Sequence, residues 1–95
     1  MTEIKRVVHL RITGYVQGVY FRAWTVEQAR ALRISGWVRN RRDGSVEAMF
    51  SGPPEDVAAL IELCQNGPPG ARVDAVNVIA EGGEVTEGFS ILPNR

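Results

Sequence analysis

Apolar residues alternate in two stretches of this chain and recur at helical spacing in two others, and with further strand-like runs between and after them the order of these stretches restricts the fold severely. From Lys5 to Thr13, Val8, Leu10 and Ile12 alternate with Val7, His9 and Arg11, as in a strand with one buried face. Over Arg22 to Arg33 the spacing lengthens, and Phe21, Thr25, Ala29 and Leu32 stand a helical turn apart. Gly36-Trp37-Val38-Arg39-Asn40 and Ser45 to Phe50 return to strand character, the latter with Val46, Ala48 and Phe50 on one side. Arg42-Asp43-Gly44 joins them as a hairpin turn, because Asp-Gly tolerates the positive φ such turns need. A second helix opens at Pro53-Pro54, carries Glu55 and Asp56 at its positive end, and stops at Gly67-Pro68. Val57, Leu60, Ile61 and Cys64 form its apolar stripe. Arg72 to Ala80 reads as a fourth strand, and Phe89-Ser90-Ile91 suits a short final one beyond the Gly82-Gly83 turn.

The resulting β-α-β-β-α-β order predicts an α+β, ferredoxin-like sandwich, an antiparallel sheet with two helices on one face and right-handed crossovers. In its usual strand order, 4-1-3-2, the first two strands run parallel with the third between them. Their C-terminal ends then share one edge of the sheet. With neighbouring strands ~4.8 Å apart, the loop after the first strand and Asn40 should face each other across roughly 10 Å. A phosphate and one water fit in that space.

Ninety-five residues with 44% hydrophobic content suit a single domain spanning 1–95 with an ordinary core. No apolar run approaches the ~20 residues of a membrane span. The N-terminus is charged at Glu3, Lys5, Arg6 and Arg11, unlike a secretory leader. Cys64 is the single cysteine, which excludes an internal disulfide and points to a reducing compartment, the cytoplasm. Net charge is zero but polarised. Residues 1–42 hold nine of the eleven Lys and Arg residues, with only Glu3 and Glu27 as acids. The positive half suits an anionic ligand, unless the two halves merely offset each other as solvated faces.

The positive half contains GYVQGVYFR, Gly14 to Arg22, lying between the first strand and the first helix. None of its nine residues is a Ser, Thr, Asp or Asn, and a cation stands in the first turn. Helix starts normally take a side-chain acceptor for their orphan N–H groups and favour negative charge. A glycine-containing turn into a helix presents successive N–H groups to an anion, and Arg22 adds a planar fork of donors. A bound phosphate would supply the missing cap. Otherwise the loop is a polar connection with Arg22 in solvent.

Gly14-Tyr15-Val16-Gln17-Gly18-Val19-Tyr20-Phe21-Arg22 resembles the G-x-V-Q-G-V-x-F-R signature of the acylphosphatases. Gly36-Trp37-Val38-Arg39-Asn40, followed by Gly44-Ser45-Val46 and Gly52, is similar to that family's second signature, G-W-V-x-N-x-x-x-G-x-V with a later Gly. The likeness spans the chain. It implies hydrolysis of a carboxyl-phosphate anhydride to a carboxylate and inorganic phosphate, without metal or other cofactor. The family's essential arginine falls on Arg22 and its asparagine on Asn40, and the phosphate-binding loop falls on Tyr15, Val16, Gln17, Gly18, Val19 and Tyr20. A monomeric domain that binds neither nucleic acid nor membrane is the expected form. Two positions depart from the pattern. Arg41 stands where Thr is frequent, and Arg33 where a Gly often ends the first helix.

Chemistry that this chain lacks is equally informative. It has no Walker-type loop, no G-x-G-x-x-G, and no motif of metal ligands. His9 is isolated on a strand, and Cys64 belongs to an apolar stripe rather than to a nucleophilic site. None of these is required for acyl-phosphate hydrolysis. The leaving carboxylate has a conjugate acid of pKa ~4 and departs unassisted, so positioning and charge stabilisation suffice. Asn40 has no basic group but can hold a water in line; the substrate's own phosphate is a candidate proton acceptor. Trp37, Phe50 and Phe89 suit core or rim packing, and Arg39, Arg41 and Arg42 suit solvated hairpin positions that raise the local potential. Gln17 could touch the ligand or satisfy loop backbone.

The competing class is a non-catalytic ferredoxin-like module that binds an anion or RNA. RNA recognition on such a sheet expects exposed aromatics for base stacking, whereas the first strand offers Val7, His9 and Arg11. A third reading is a detached relative of the acylphosphatase-like domain that opens larger carbamoyl-transfer proteins, against which the linker-free chain argues.

Overall fold

The computed structural model describes residues 4–95, so Glu3 lies outside the described residues. Its elements run β1 (Arg6–Tyr15), α1 (Phe21–Ala31), β2 (Ser35–Asn40), β3 (Val46–Gly52), α2 (Pro54–Asn66), β4 (Arg72–Glu81) and β5 (Phe89–Ile91). The strands form one sheet in the order β4-β1-β3-β2-β5. The β-α-β-β-α-β core therefore has the expected order, with β1 and β2 parallel on either side of β3.

Alternation decides which face is covered. Val8 pairs with Phe50, Leu10 with Ala48 and Ile12 with Val46 across β1 and β3, and all six are fully buried. Phe21, Thr25 and Ala29 of α1 join the buried interior, as do Val57, Leu60 and Cys64 of α2. The helical spacing thus marks the true inner stripes. Thr25 is accommodated because its hydroxyl donates to the Phe21 carbonyl at 2.8 Å.

The sequence predicts an antiparallel sheet, and one pair departs from it. β5 lies parallel to β2, pairing Phe89 with Gly36 and Ile91 with Val38. The reason is directional. β4 ends with Glu81 beside Val8, at the end of the sheet where β2 begins. Residues 82–88 cross under that end, and a segment rising along β2 from there must run with it. Four strand spacings come to about 19 Å, within the ~23 Å that seven extended residues can span.

The first helix stops at Ala31, two residues before the expected Arg33. Arg33 adopts φ 56°, its N–H donates to Arg30, and Ile34 N–H donates to Ala29 at 2.8 Å. That pattern is a Schellman motif with arginine at the left-handed position usually given to glycine. A left-handed residue with a side chain costs about 1 kcal/mol there.

Candidate active site

Five residues, Val16 to Tyr20, carry the chain from β1 into α1. Val16 is buried and fixes the loop to the core. Gly18 and Tyr20 have φ of 73° and 71°, while Gln17 and Val19 have no positive φ. Alternating signs of φ are the pattern that turns successive N–H groups toward one side, as in anion-binding nests. A Cβ on Gly18 would meet nothing within 4 Å, so glycine is needed there for its conformation and not for space. Tyr20 has no such licence. As the N-cap of α1 it is left-handed and makes no side-chain cap bond, and the first turn contains no acid. A left-handed L-residue costs about 1–2 kcal/mol, which marks this turn as strained.

A pocket of about 260 Å³ opens against the loop. Val16, Gly18, Tyr20 and Arg22 line it on one side, Asn40 from the end of β2 on another, with Ile91 of β5 at its wall. Arg22 points a guanidinium N–H at Asn94 Oδ1, 3.3 Å away. Asn40 is 8% exposed, and its Oδ1 is the buried side-chain polar atom without a hydrogen-bond partner among the described residues. Native interiors rarely leave such an acceptor unpaired. A pocket with an uncapped helix start, a guanidinium and an orphaned amide oxygen suits an anion together with a hydrogen donor such as water.

The remaining loop residues do other things. Gln17 turns away from the pocket, and its Nε2 donates to the carbonyls of Arg41 at 2.7 Å and Ser45 at 2.9 Å. Tyr15 pairs with Arg72 at the end of the β1–β4 ladder and is exposed, and Val19 packs against the core. Asn40 is also held through its backbone, whose carbonyl accepts from Arg95 N–H at 2.9 Å.

Behind Asn40, the opposite face of the sheet carries a charged cluster that the sequence reading missed. Glu47 is only 5% exposed. Its Oε1 accepts from Arg39 Nε at 2.7 Å and from an Arg41 guanidinium N–H at 3.0 Å, and His9 Nε2 lies 2.6 Å from Oε2. Burial pushes the Glu47 carboxyl up, but hydrogen bonds from Arg39, His9 and Arg41, with the Arg39 charge, outweigh it and bring it from 4.5 down to about 2. His9 is therefore not isolated, and Arg39 and Arg41 are not merely solvated: all three share the Glu47 carboxylate, a residue to which the sequence reading assigned no role. Trp37 lies on this face too, under the Arg39 guanidinium at 4.7 Å and edge-on to His9, whereas Phe50 and Phe89 are core. Nearby, Arg11 pairs with Asp43, whose Oδ1 accepts from Ser45 N–H and Oγ. Cys64 is fully buried, and burial pushes its thiol up to about 12, which leaves it inert.

The acylphosphatase family model matches residues 8–91. An acylphosphatase of Rhizorhabdus wittichii is 51% identical over 91 residues, covering 96% of this chain and 90% of the relative. The solved acylphosphatase of Coxiella burnetii superposes with a TM-score of 0.88 at 34% identity, covering 93% of each chain. That of Bacillus subtilis gives 0.86 at 32% identity, covering 94% of this chain and 99% of the other. Sequence and fold agree over almost the whole length, and the chain belongs to the acylphosphatase family.

Proposed function

We propose that this acylphosphatase cleaves its substrate between the Val16–Tyr20 loop and Asn40. The phosphoryl group rests on the loop N–H groups and the Arg22 guanidinium, which replace the absent helix cap and stabilise the transferring oxygens. The attacking water donates one hydrogen bond to Asn40 Oδ1, which holds its oxygen in line with the scissile bond. Attack forms a new P–O bond as the bond to the acyl oxygen breaks. The carboxylate leaves as an anion, and the water's proton passes to a phosphoryl oxygen, giving inorganic phosphate. No side chain need act as acid or base, because the leaving group is already a weak base.

The observation that carries this reading is the unpartnered Asn40 Oδ1 at the wall of the pocket that Arg22 also lines. No group of three or more potential metal ligands occurs among the described residues. We read the enzyme as independent of added metal, as is typical of its family, and as a monomer working in the cytoplasm, where its one cysteine stays reduced. No helix among the described residues is long and apolar enough to cross a membrane. The test is release of phosphate from acetyl or benzoyl phosphate with a chelator present. Wild type should turn over at its full rate, and Asn40→Ala should lose on the order of 10²–10³ in kcat while keeping its affinity for inorganic phosphate. Loss of both together would make Asn40 a ligand of the anion.

A further inference from the structure

Glu47 stands on the face of the sheet opposite the pocket, yet its contacts converge on the residue at the pocket wall. In β2 the side chains alternate, so Asn40 points inward while Arg39 before it and Arg41 after it belong to the outer face. One carboxylate oxygen, Oε1 of Glu47, accepts from both of those neighbours, at 2.7 and 3.0 Å. The other oxygen is tied to His9 of β1, the strand that leads into the phosphate loop. The direction in which a strand residue projects is set by its peptide planes, and those planes are shared with the residues on either side. Pinning both neighbours of Asn40 to one buried anion fixes the aim of its carboxamide.

We propose that Glu47 is a positioning residue for hydrolysis, acting through Arg39 and Arg41 to hold the Asn40 amide against the attacking water. The proposal rests on the reading of Asn40 as the water-holding group. A purely structural role would predict a different pattern. The Arg39 and Arg41 side chains are 14% and 36% exposed, so water can reach both if the carboxylate is removed. The sheet then keeps its backbone ladder, with Arg39 still opposite Glu47's position and Asn40 opposite Val46, and what is lost is the restraint on the end of β2. The phosphate nest, built from backbone between Val16 and Tyr20, makes no direct hydrogen bond to Glu47, and its own tie to the hairpin runs from Gln17 to the backbone carbonyls of Arg41 and Ser45, which the substitution leaves in place.

The experiment is a double-mutant cycle in kcat with a short acyl phosphate, run below the melting temperature of every variant. Glu47→Ala should lower kcat on the order of ten- to a hundredfold, as for an ångström-scale misplacement of a reacting group. Its inhibition constant for inorganic phosphate should stay within about twofold of wild type, since uniform binding is untouched. In the Asn40→Ala background the same change should cost less than about twofold, because its effect passes through an amide that is no longer there. Glu47→Gln keeps the shape and a neutral acceptor; it should recover part of the rate, and it serves in the cycle if the alanine variant does not fold. Full kcat in Glu47→Gln and Glu47→Ala beside a crippled Asn40→Ala overturns the proposal alone. Equal losses with and without Asn40 also overturn it, since they would show that Glu47 acts on the protein at large. A full-rate Asn40→Ala would remove the water-holding reading itself, and this proposal with it.

Discussion

The Gln17 amide nitrogen lies 2.7 Å from the Arg41 carbonyl oxygen, so the middle of the phosphate loop is bolted to the residue after Asn40. A second bond, to Ser45 at 2.9 Å, closes the same clamp on the far side of the hairpin. The loop is therefore tied to the backbone of the hairpin, independently of the side-chain contacts that Arg39 and Arg41 make with Glu47.

This arrangement separates two variants. Gln17→Ala removes two hydrogen bonds and should destabilise the fold by about 1–2 kcal/mol. Gln17→Glu sets a carboxylate against two carbonyl oxygens and should cost more, despite its near-identical shape. Urea denaturation of the pair provides the measurement. Equal stability of wild type and Gln17→Glu would mean that the side chain is free to serve the ligand instead.

A phosphate that caps α1 should stabilise the native state by mass action. At a hundredfold excess over Kd the gain is about 2.7 kcal/mol, or roughly 10–20 °C in Tm for a domain of this size. Chloride at matched ionic strength should do little, and Arg22→Ala should lose most of the phosphate effect. Arg22→Lys should restore little of it, because an ammonium lacks the guanidinium fork. Identical phosphate-induced shifts in wild type and Arg22→Ala would assign the stabilisation to general salt effects.

The proposed role of Asn40 accounts for a cost it carries. Its buried Oδ1 has no partner among the described residues, so replacing it with an apolar side chain of similar volume removes a desolvation penalty. Asn40→Leu should melt higher than wild type, by about 1 kcal/mol of stability, while losing activity. A variant that is both inactive and clearly destabilised would show that the amide has a structural partner.

Acid should loosen the Glu47 cluster. The carboxyl has a lower pKa folded, about 2, than its ordinary 4.5, so its contribution is complete above about pH 5 and is lost as pH falls toward 2. The stability at stake is on the order of 3 kcal/mol. Glu47→Gln should flatten the acid limb of a stability-against-pH curve by that amount. An unchanged acid limb would place the titrating groups elsewhere than Glu47, His9, Arg39 and Arg41.

Period and punctuation made most of the fold legible before any coordinates. Val8, Leu10 and Ile12, or Val57, Leu60 and Cys64, announce their inner faces because burial alone sets their spacing. The missing helix cap was legible as well, since Tyr20 has no capping side chain. Glu47 was not, although the Arg42-Asp43-Gly44 turn closes from Arg41 to Ser45 and sets it opposite Arg39. Alternation puts it on the outward face, where a glutamate is ordinarily solvated, and its burial depends on Arg39, Arg41 and His9 converging on it from separate segments. No local pattern announces such a convergence. Asn94 beside Arg22 was equally hidden, because its approach depends on β5 running along β2.

The central place of β1 in the sheet has a consequence for how the protein comes into being. Its partners are distant in sequence, with Leu10 set between Ala48 and Val78. A chain emerging from the ribosome as far as α2 already carries Gly18, Arg22 and Asn40, but one whole flank of β1 still lacks its ladder. Pairing over such separations closes long loops before any reward arrives, and it makes folding slow. The parts of the proposed site are thus translated early and assembled late. Activity should appear only once the segment from Arg72 to Glu81 has been released and has found the strand made first.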